Sequence, residues 1–161
     1  MSLTESVISI IAFLTALLVL ILVVDWRYFR DWVVVYLFKC NLDFIWGSPV
    51  VSLKLIEYPD RLLPRYYETS ILFELWVFPI LCIWYNQVTK DRGLGPIIFY
   101  ALVFSAGITV IEYPLERYTD LIHYMKWSWF TTFYTLNITF LLSRTFIALF
   151  RRGCIYFGSR F

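Results

Sequence analysis

Charge is what this sequence has least of. Only 16% of its 161 residues are Asp, Glu, Lys or Arg, against about 25% in a typical soluble domain. The 14 basic and 12 acidic side chains leave a formal charge of +2. No polar stretch carries the basic blocks interleaved with aromatics that a nucleic-acid surface needs, so nucleic acid is excluded as a partner. Histidine occurs once, at His123, and one copy of the chain cannot build a histidine-rich metal site. Cys40, Cys82 and Cys154 form no CxxC pair. That spacing excludes a disulfide scaffold and leaves them as small packing hydrophobes. Cys154, following Arg151-Arg152-Gly153, also carries a weak acylation signal.

Catalytic signatures are missing too. There is no GxSxG elbow, HExxH, Walker A loop or GxGxxG fingerprint. The expectation is therefore no catalytic residue, no cofactor and no metal ligand set, and no enzyme class follows from motifs. A removable signal peptide is not expected either. Met1–Ser6 holds Glu5 and no Lys or Arg, and the apolar run behind it is longer than a usual signal core.

What the chain has in excess is apolar surface: 60% apolar and 21% aromatic residues, with a mean hydropathy of +0.69. Short soluble chains bury the smaller fraction of their surface and could not hide this much. The composition predicts an all-α integral membrane helical bundle, forming a single transmembrane domain over residues 1–161, with the lipid bilayer as its first partner. A helical span needs about 20 mainly apolar residues to cross about 30 Å of hydrocarbon. Five runs qualify: Val7–Val24, Trp32–Ile56, Thr69–Val88, Leu94–Glu112 and Trp127–Phe150. The second contains Lys39, Asn41 and Asp43 and is interrupted by Gly47-Ser48-Pro49. A kink or break near Pro49 is expected, and four spans plus one broken or re-entrant segment is the alternative. Trp and Tyr cluster at the run ends, the positions of interfacial anchors. With five spans, Arg27, Arg30, Lys90, Arg92, Arg151, Arg152 and Arg160 share one side, and Arg61, Arg65, Arg117 and Lys126 the other. That bias favours a cytoplasmic C-terminus.

One tetrapeptide recurs. Ile56-Glu57-Tyr58-Pro59 returns as Ile111-Glu112-Tyr113-Pro114. Two spans separate the copies, so a true repeat would be a parallel one related by an axis along the membrane normal.

Polar residues inside apolar runs are costly and are the places to look for function. Lys39 and Asp43 lie four apart on one helix face, close enough to pair. Glu74 sits about a turn inside the third run. Ser105, Thr109, Glu112 and Glu116 follow i, i+4, i+7, i+11 and make a polar stripe. Asp120 and His123 extend it if the helix continues beyond Pro114. These interface residues are expected to form a solvated face or one paired with arginine, with Arg61, Arg65 and Arg117 as the obvious partners. Thr132, Thr135, Thr139 and Ser143 offer a small-residue face for helix packing.

The stretch Ile111–Phe146 carries Glu112-Tyr113, the run Asp120-Leu121-Ile122-His123-Tyr124, and Trp127-Ser128-Trp129 opening a hydroxyl-bearing last span. It resembles an uncharacterised family of small, aromatic-rich multi-span membrane proteins of endospore-forming bacilli and clostridia. Tyr58-Pro59 followed by a proline-containing span is similar too. The resemblance implies a bacterial plasma membrane and brings no activity, cofactor or site residue with it. The residues themselves favour a non-enzymatic membrane component that acts through helix–helix contacts with a second copy or another membrane protein. Two rivals are a small proton or cation transporter using Asp43, Glu74 and Glu112, and a membrane-embedded lipid enzyme with Glu112, Asp120 and His123 at the interface.

Overall fold

The apolar runs fold as helices, the one local structure that pairs a segment's amides without help from a neighbour. The computed structural model describes residues 3–158. It is all-helical, with five helices and almost no strand. Helix α1 is Leu3–Leu18 and runs on through a π-helical turn, Val19–Val23. Helix α2 is Phe29–Ser52; α3 is Phe78–Val88, preceded by a second π turn at Phe73–Val77. Helices α4, Leu94–Tyr118, and α5, Trp129–Tyr156, complete the set. Ser128 caps α5 by accepting the Thr131 amide at 3.2 Å. Among the described residues three helical segments are long and apolar enough to cross a membrane: Leu3–Val23, Leu94–Tyr118 and Trp129–Tyr156.

Two short strands join the links between helices. Strand β1, Ile56–Glu57, pairs antiparallel with β2, His123–Tyr124, in the register Ile56 to Tyr124 and Glu57 to His123. The amides of Met125 and Lys126 both donate to the Leu55 carbonyl, at 3.0 and 3.1 Å, and Asp60 N–H donates to Asp120 O at 2.9 Å. This strap laces the α2–α3 link to the α4–α5 link. Glu5, in the first turn of α1, accepts the Asp120 amide at 3.5 Å and so lies at the same end. The opposite end has its own ties. Gln87, at the end of α3, accepts from Asp25 N at 2.7 Å and donates to Val23 O at 2.9 Å, which fixes the α1–α2 link. Arg151 of α5 pairs with Asp31 of α2, Nε to Oδ2 at 3.0 Å. Successive helices therefore alternate in direction.

The core fills the half of the bundle away from the strap. Trp32, Val35, Cys82, Tyr85, Ala101, Phe140 and Ile147 are buried together there, with Tyr85 and Phe140 at 4.9 Å between ring centroids. The outer faces are apolar. Leu22, Phe44, Phe99, Val110, Phe130 and Tyr134 are all exposed, a surface far more apolar than a soluble monomer leaves in water.

Several expectations shift. Helix α2 does not break at Pro49 but continues to Ser52. The proline withholds an N–H from the Ile45 carbonyl one turn earlier, but the chain beyond it still bonds back, Leu53 N–H to Pro49 O at 2.9 Å. The second segment accordingly stops short of Ile56, and Lys54, at φ 52°, belongs to the strap end. The fifth helix starts at Trp129 and continues to Tyr156, beyond the expected Phe150. Helix α4 passes through Pro114 but ends at Tyr118, so Asp120 and His123 leave the helical stripe and His123 sits on β2. The two tetrapeptide copies differ as well: Ile56-Glu57 is strand and Ile111–Pro114 is helix. They are not equivalent structural units. Arg160, counted in the charge bias, lies outside the described residues.

Candidate functional site

The polar residues embedded in the apolar runs come from distant parts of the chain, and most of them meet. A cleft of about 230 Å³ is lined by Lys39, Asp43 and Gly47 of α2, Glu74 of the π turn, Glu112 of α4, and Thr132, Thr135 and Thr139 of α5. The strap closes one end of it with Ile56, Tyr58, Ile122 and Trp127. Trp46 of α2 and Ile138 and Leu142 of α5 form its rim and are exposed, so the mouth opens sideways, between α2 and α5, onto the apolar outer surface.

Each carboxylate is placed by a local reason. Lys39 is 3% exposed, and its ammonium pairs with Asp43 Oδ1 as the i, i+4 spacing predicts. Asp43 Oδ2 is buried with no hydrogen-bond partner. The Lys39 ammonium also lies 5.4 Å from the Phe78 ring centroid, within cation–π range. Glu74 is carried by a π turn, in which Phe78 N–H bonds back to Phe73 O. Pro79 explains the irregularity, because it has no N–H to give to the Leu75 carbonyl four residues earlier. The Tyr36 hydroxyl of α2 fills that vacancy, donating to Leu75 O at 2.5 Å. Across the cleft, Gly47 makes room for Glu74: a Cβ there would lie 2.9 Å from Glu74 Oε1.

Glu112 is held by the strap. Tyr124 Oη donates to Glu112 Oε2 at 2.7 Å and lies 2.7 Å from Thr132 Oγ1, which also accepts Trp127 Nε1–H at 2.8 Å. Burial, with the Glu112 charge beside it, pushes the Tyr124 hydroxyl far above the ordinary tyrosine range. The Tyr58 hydroxyl is raised for the same reason, burial first and then the charges of Glu74 and Glu112.

Of the residues singled out from sequence, Lys39, Asp43, Glu74 and Glu112 share the cleft. Ser105 is fully buried on the α4–α5 contact, where Asn137 Nδ2 reaches it at 3.4 Å. Thr109 donates to Ser105 O on its own helix at 2.8 Å. Of the two forms expected for the interface face, solvated or arginine-paired, the described residues show no arginine pair and leave Arg65, Arg117 and Asp120 exposed. Asp120 pairs with His123, Oδ1 to Nε2 at 3.1 Å. Arg61 donates instead to the backbone carbonyls of Tyr67 and Tyr58, at 2.7 and 2.6 Å. Arg65 and Arg117 are exposed and Glu116 is half-buried. Sequence reasoning missed Tyr58, Trp127 and Gly47 as parts of the site, taking the first two for interfacial anchors and the third for a helix breaker.

Among the described residues no three His, Cys, Asp or Glu side chains lie close enough together to hold a metal ion. The carboxylates are spread around the cleft and do not converge on a point. No protein-family model, no curated protein and no solved structure matches the chain.

Proposed function

We propose that this is a five-pass integral membrane protein that binds a small organic cation in the cleft between α2 and α5. One observation carries the reading: three carboxylates from three separate segments face one cleft that holds a single lysine. Lys39 offsets Asp43, which leaves the charges of Glu74 and Glu112 for a ligand. Such residues in a bilayer face a bundle interior or a polar cavity and mark sites of function. Their spacing suits a cation with an organic body better than a chelated ion. Phe78, Trp46 and Trp127 add the aromatic surface on which ammonium groups rest. The side mouth favours arrival from the bilayer, and the core of Trp32, Tyr85 and Phe140 beyond the cleft favours binding over conduction.

In this reading α2 and residues 71–88 cross the bilayer with the three longer helices. Lys39, Asp43 and Glu74 line the cleft, Asn41 gives its amide to Leu37 O of its own helix at 2.8 Å, and the alternation in direction fits five passages. The resemblance to membrane proteins of endospore-forming bacteria supports a plasma membrane. The end bearing Arg27, Arg30, Lys90, Arg92, Arg151 and Arg152 is then cytoplasmic, with the C-terminus.

The test is calorimetric titration of the protein in lipid nanodiscs with benzylammonium and with neutral benzyl alcohol. Saturable binding of the cation alone is expected, weakened about tenfold or more by Glu112→Gln or Glu74→Gln, as loss of a charge-assisted contact worth over 1.4 kcal/mol requires. Equal binding of the alcohol, or unchanged affinity in both variants with folding intact, overturns the reading.

A further inference from the structure

A second cavity, of about 80 Å³, lies between the π turn with α3 on one side and α4 on the other. Phe73, Val77 and Leu81 form one wall; Ile108, Ile111 and Leu115 form the other. Its remaining lining includes Tyr58, Phe78, Glu112 and Ile122, and these four residues also line the carboxylate cleft. The two cavities thus lie back to back across a shared partition. Among the described residues that line the second one, Tyr58 and Glu112 alone are polar.

We propose that the cation bound in the cleft carries a single alkyl chain and that the α3–α4 crevice holds the first few carbons of this chain, the rest lying against the outer apolar surface beside Ile111, so that the ligand is a single-chain amphiphile with an ammonium-type head. The inference rests on the cation-binding reading and adds the chemistry of the rest of the ligand. Glu112 can be approached from both cavities, so a head held there directs its chain into either. The crevice offers the chain purely apolar walls. On the cleft side the chain would cover Lys39, Asp43 and the threonine edge of α5, and burying polar groups under hydrocarbon is unfavourable. Tyr58 comes from the strap and not from a helix, so it can shift aside without breaking a helical hydrogen bond. Ile111 is 63% exposed, which opens the crevice to the outer apolar surface and gives the chain a way in from the bilayer.

The test uses dodecylammonium with a diazirine on the fourth carbon from its head, photolysed with the protein in phosphatidylcholine nanodiscs, and the adducts mapped by mass spectrometry. Adducts are expected in segments 73–81 and 108–115, suppressed by unlabelled dodecylammonium. Ile111→Trp or Val77→Trp, which fill the crevice from opposite walls, should abolish this labelling and leave benzylammonium affinity unchanged. Saturable adducts at Trp46, Ile138 or Leu142, or labelling that survives both variants, overturn the proposal while the cation-binding reading stands. If benzylammonium does not bind either, both fail together.

Discussion

Gly47 and Glu74 face each other across the cleft so closely that a methyl group at position 47 would sit 2.9 Å from the Glu74 Oε1 atom. The atom in the way is the far end of a flexible side chain, so the carboxylate can retreat. Gly47→Ala should therefore cost little stability, less than the ~1–3 kcal/mol of ordinary overpacking, yet weaken benzylammonium binding by moving Glu74. Gly107→Ala, where an added Cβ meets nothing within 4 Å, is the control. Parallel titration and thermal unfolding of both variants decide it; a loss of stability with affinity intact refutes the relationship.

Tyr36 supplies from α2 the hydrogen bond that Pro79 cannot give to the Leu75 carbonyl. Tyr36→Phe should cost about 0.5–1.5 kcal/mol. In a Pro79→Ala background, which returns an N–H to the chain, that penalty should shrink. A double-mutant cycle of unfolding in mixed micelles measures the coupling. Identical penalties in the two backgrounds would mean that the residues act independently.

Lys39→Met would strand Asp43, whose Oδ2 already has no partner, and removing one member of a buried pair costs about 3–5 kcal/mol. Lys39→Met with Asp43→Leu removes both charges and should recover most of that loss. The comparison is again unfolding in micelles. A double variant as unstable as the single one would show that the pair is not what fixes these positions.

Tyr58 and Tyr124 should ionise late. Both hydroxyls are raised by burial and neighbouring carboxylate charge, so the folded protein holds two protons at a pH where the unfolded chain has begun to lose them. Their contribution to stability is full below the ordinary tyrosine value of about 10 and is lost as pH rises above it. Ultraviolet titration should show tyrosinate absorbance rising in stages, with Tyr58→Phe and Tyr124→Phe each removing part of the late stage. All 12 tyrosines titrating together near pH 10 would contradict this.

Helix positions were legible in the apolar runs because a helix is specified by its own residues. What the runs did not show is what lies across from them. Ile-Glu-Tyr-Pro occurs twice, and β1 is a strand only because Tyr124 and His123 pair with it from 68 and 66 residues away; the second copy, with no such partner, stays helical. Pro49 and Pro114 read as stops, yet α2 continues to Ser52 and α4 to Tyr118, because the residues beyond each proline still bond back along the helix, as Leu53 N–H does to Pro49 O at 2.9 Å. Lys39, Asp43, Glu74 and Glu112 stood out as polar exceptions in apolar sequence. Their convergence, with Tyr58 and Trp127 over them and Gly47 beside Glu74, is a property of helix packing and strap pairing that no local pattern encodes.

The strap also dictates an order of biosynthesis. Its two strands lie on either side of α3 and α4, and the cleft takes residues from Lys39 to Leu142. A nascent chain halted after α4 has already delivered all three carboxylates but neither the Tyr124 that grips Glu112 nor the threonine wall of α5. Those acidic groups must then wait in an unfinished bundle until the last helix emerges and completes the cleft.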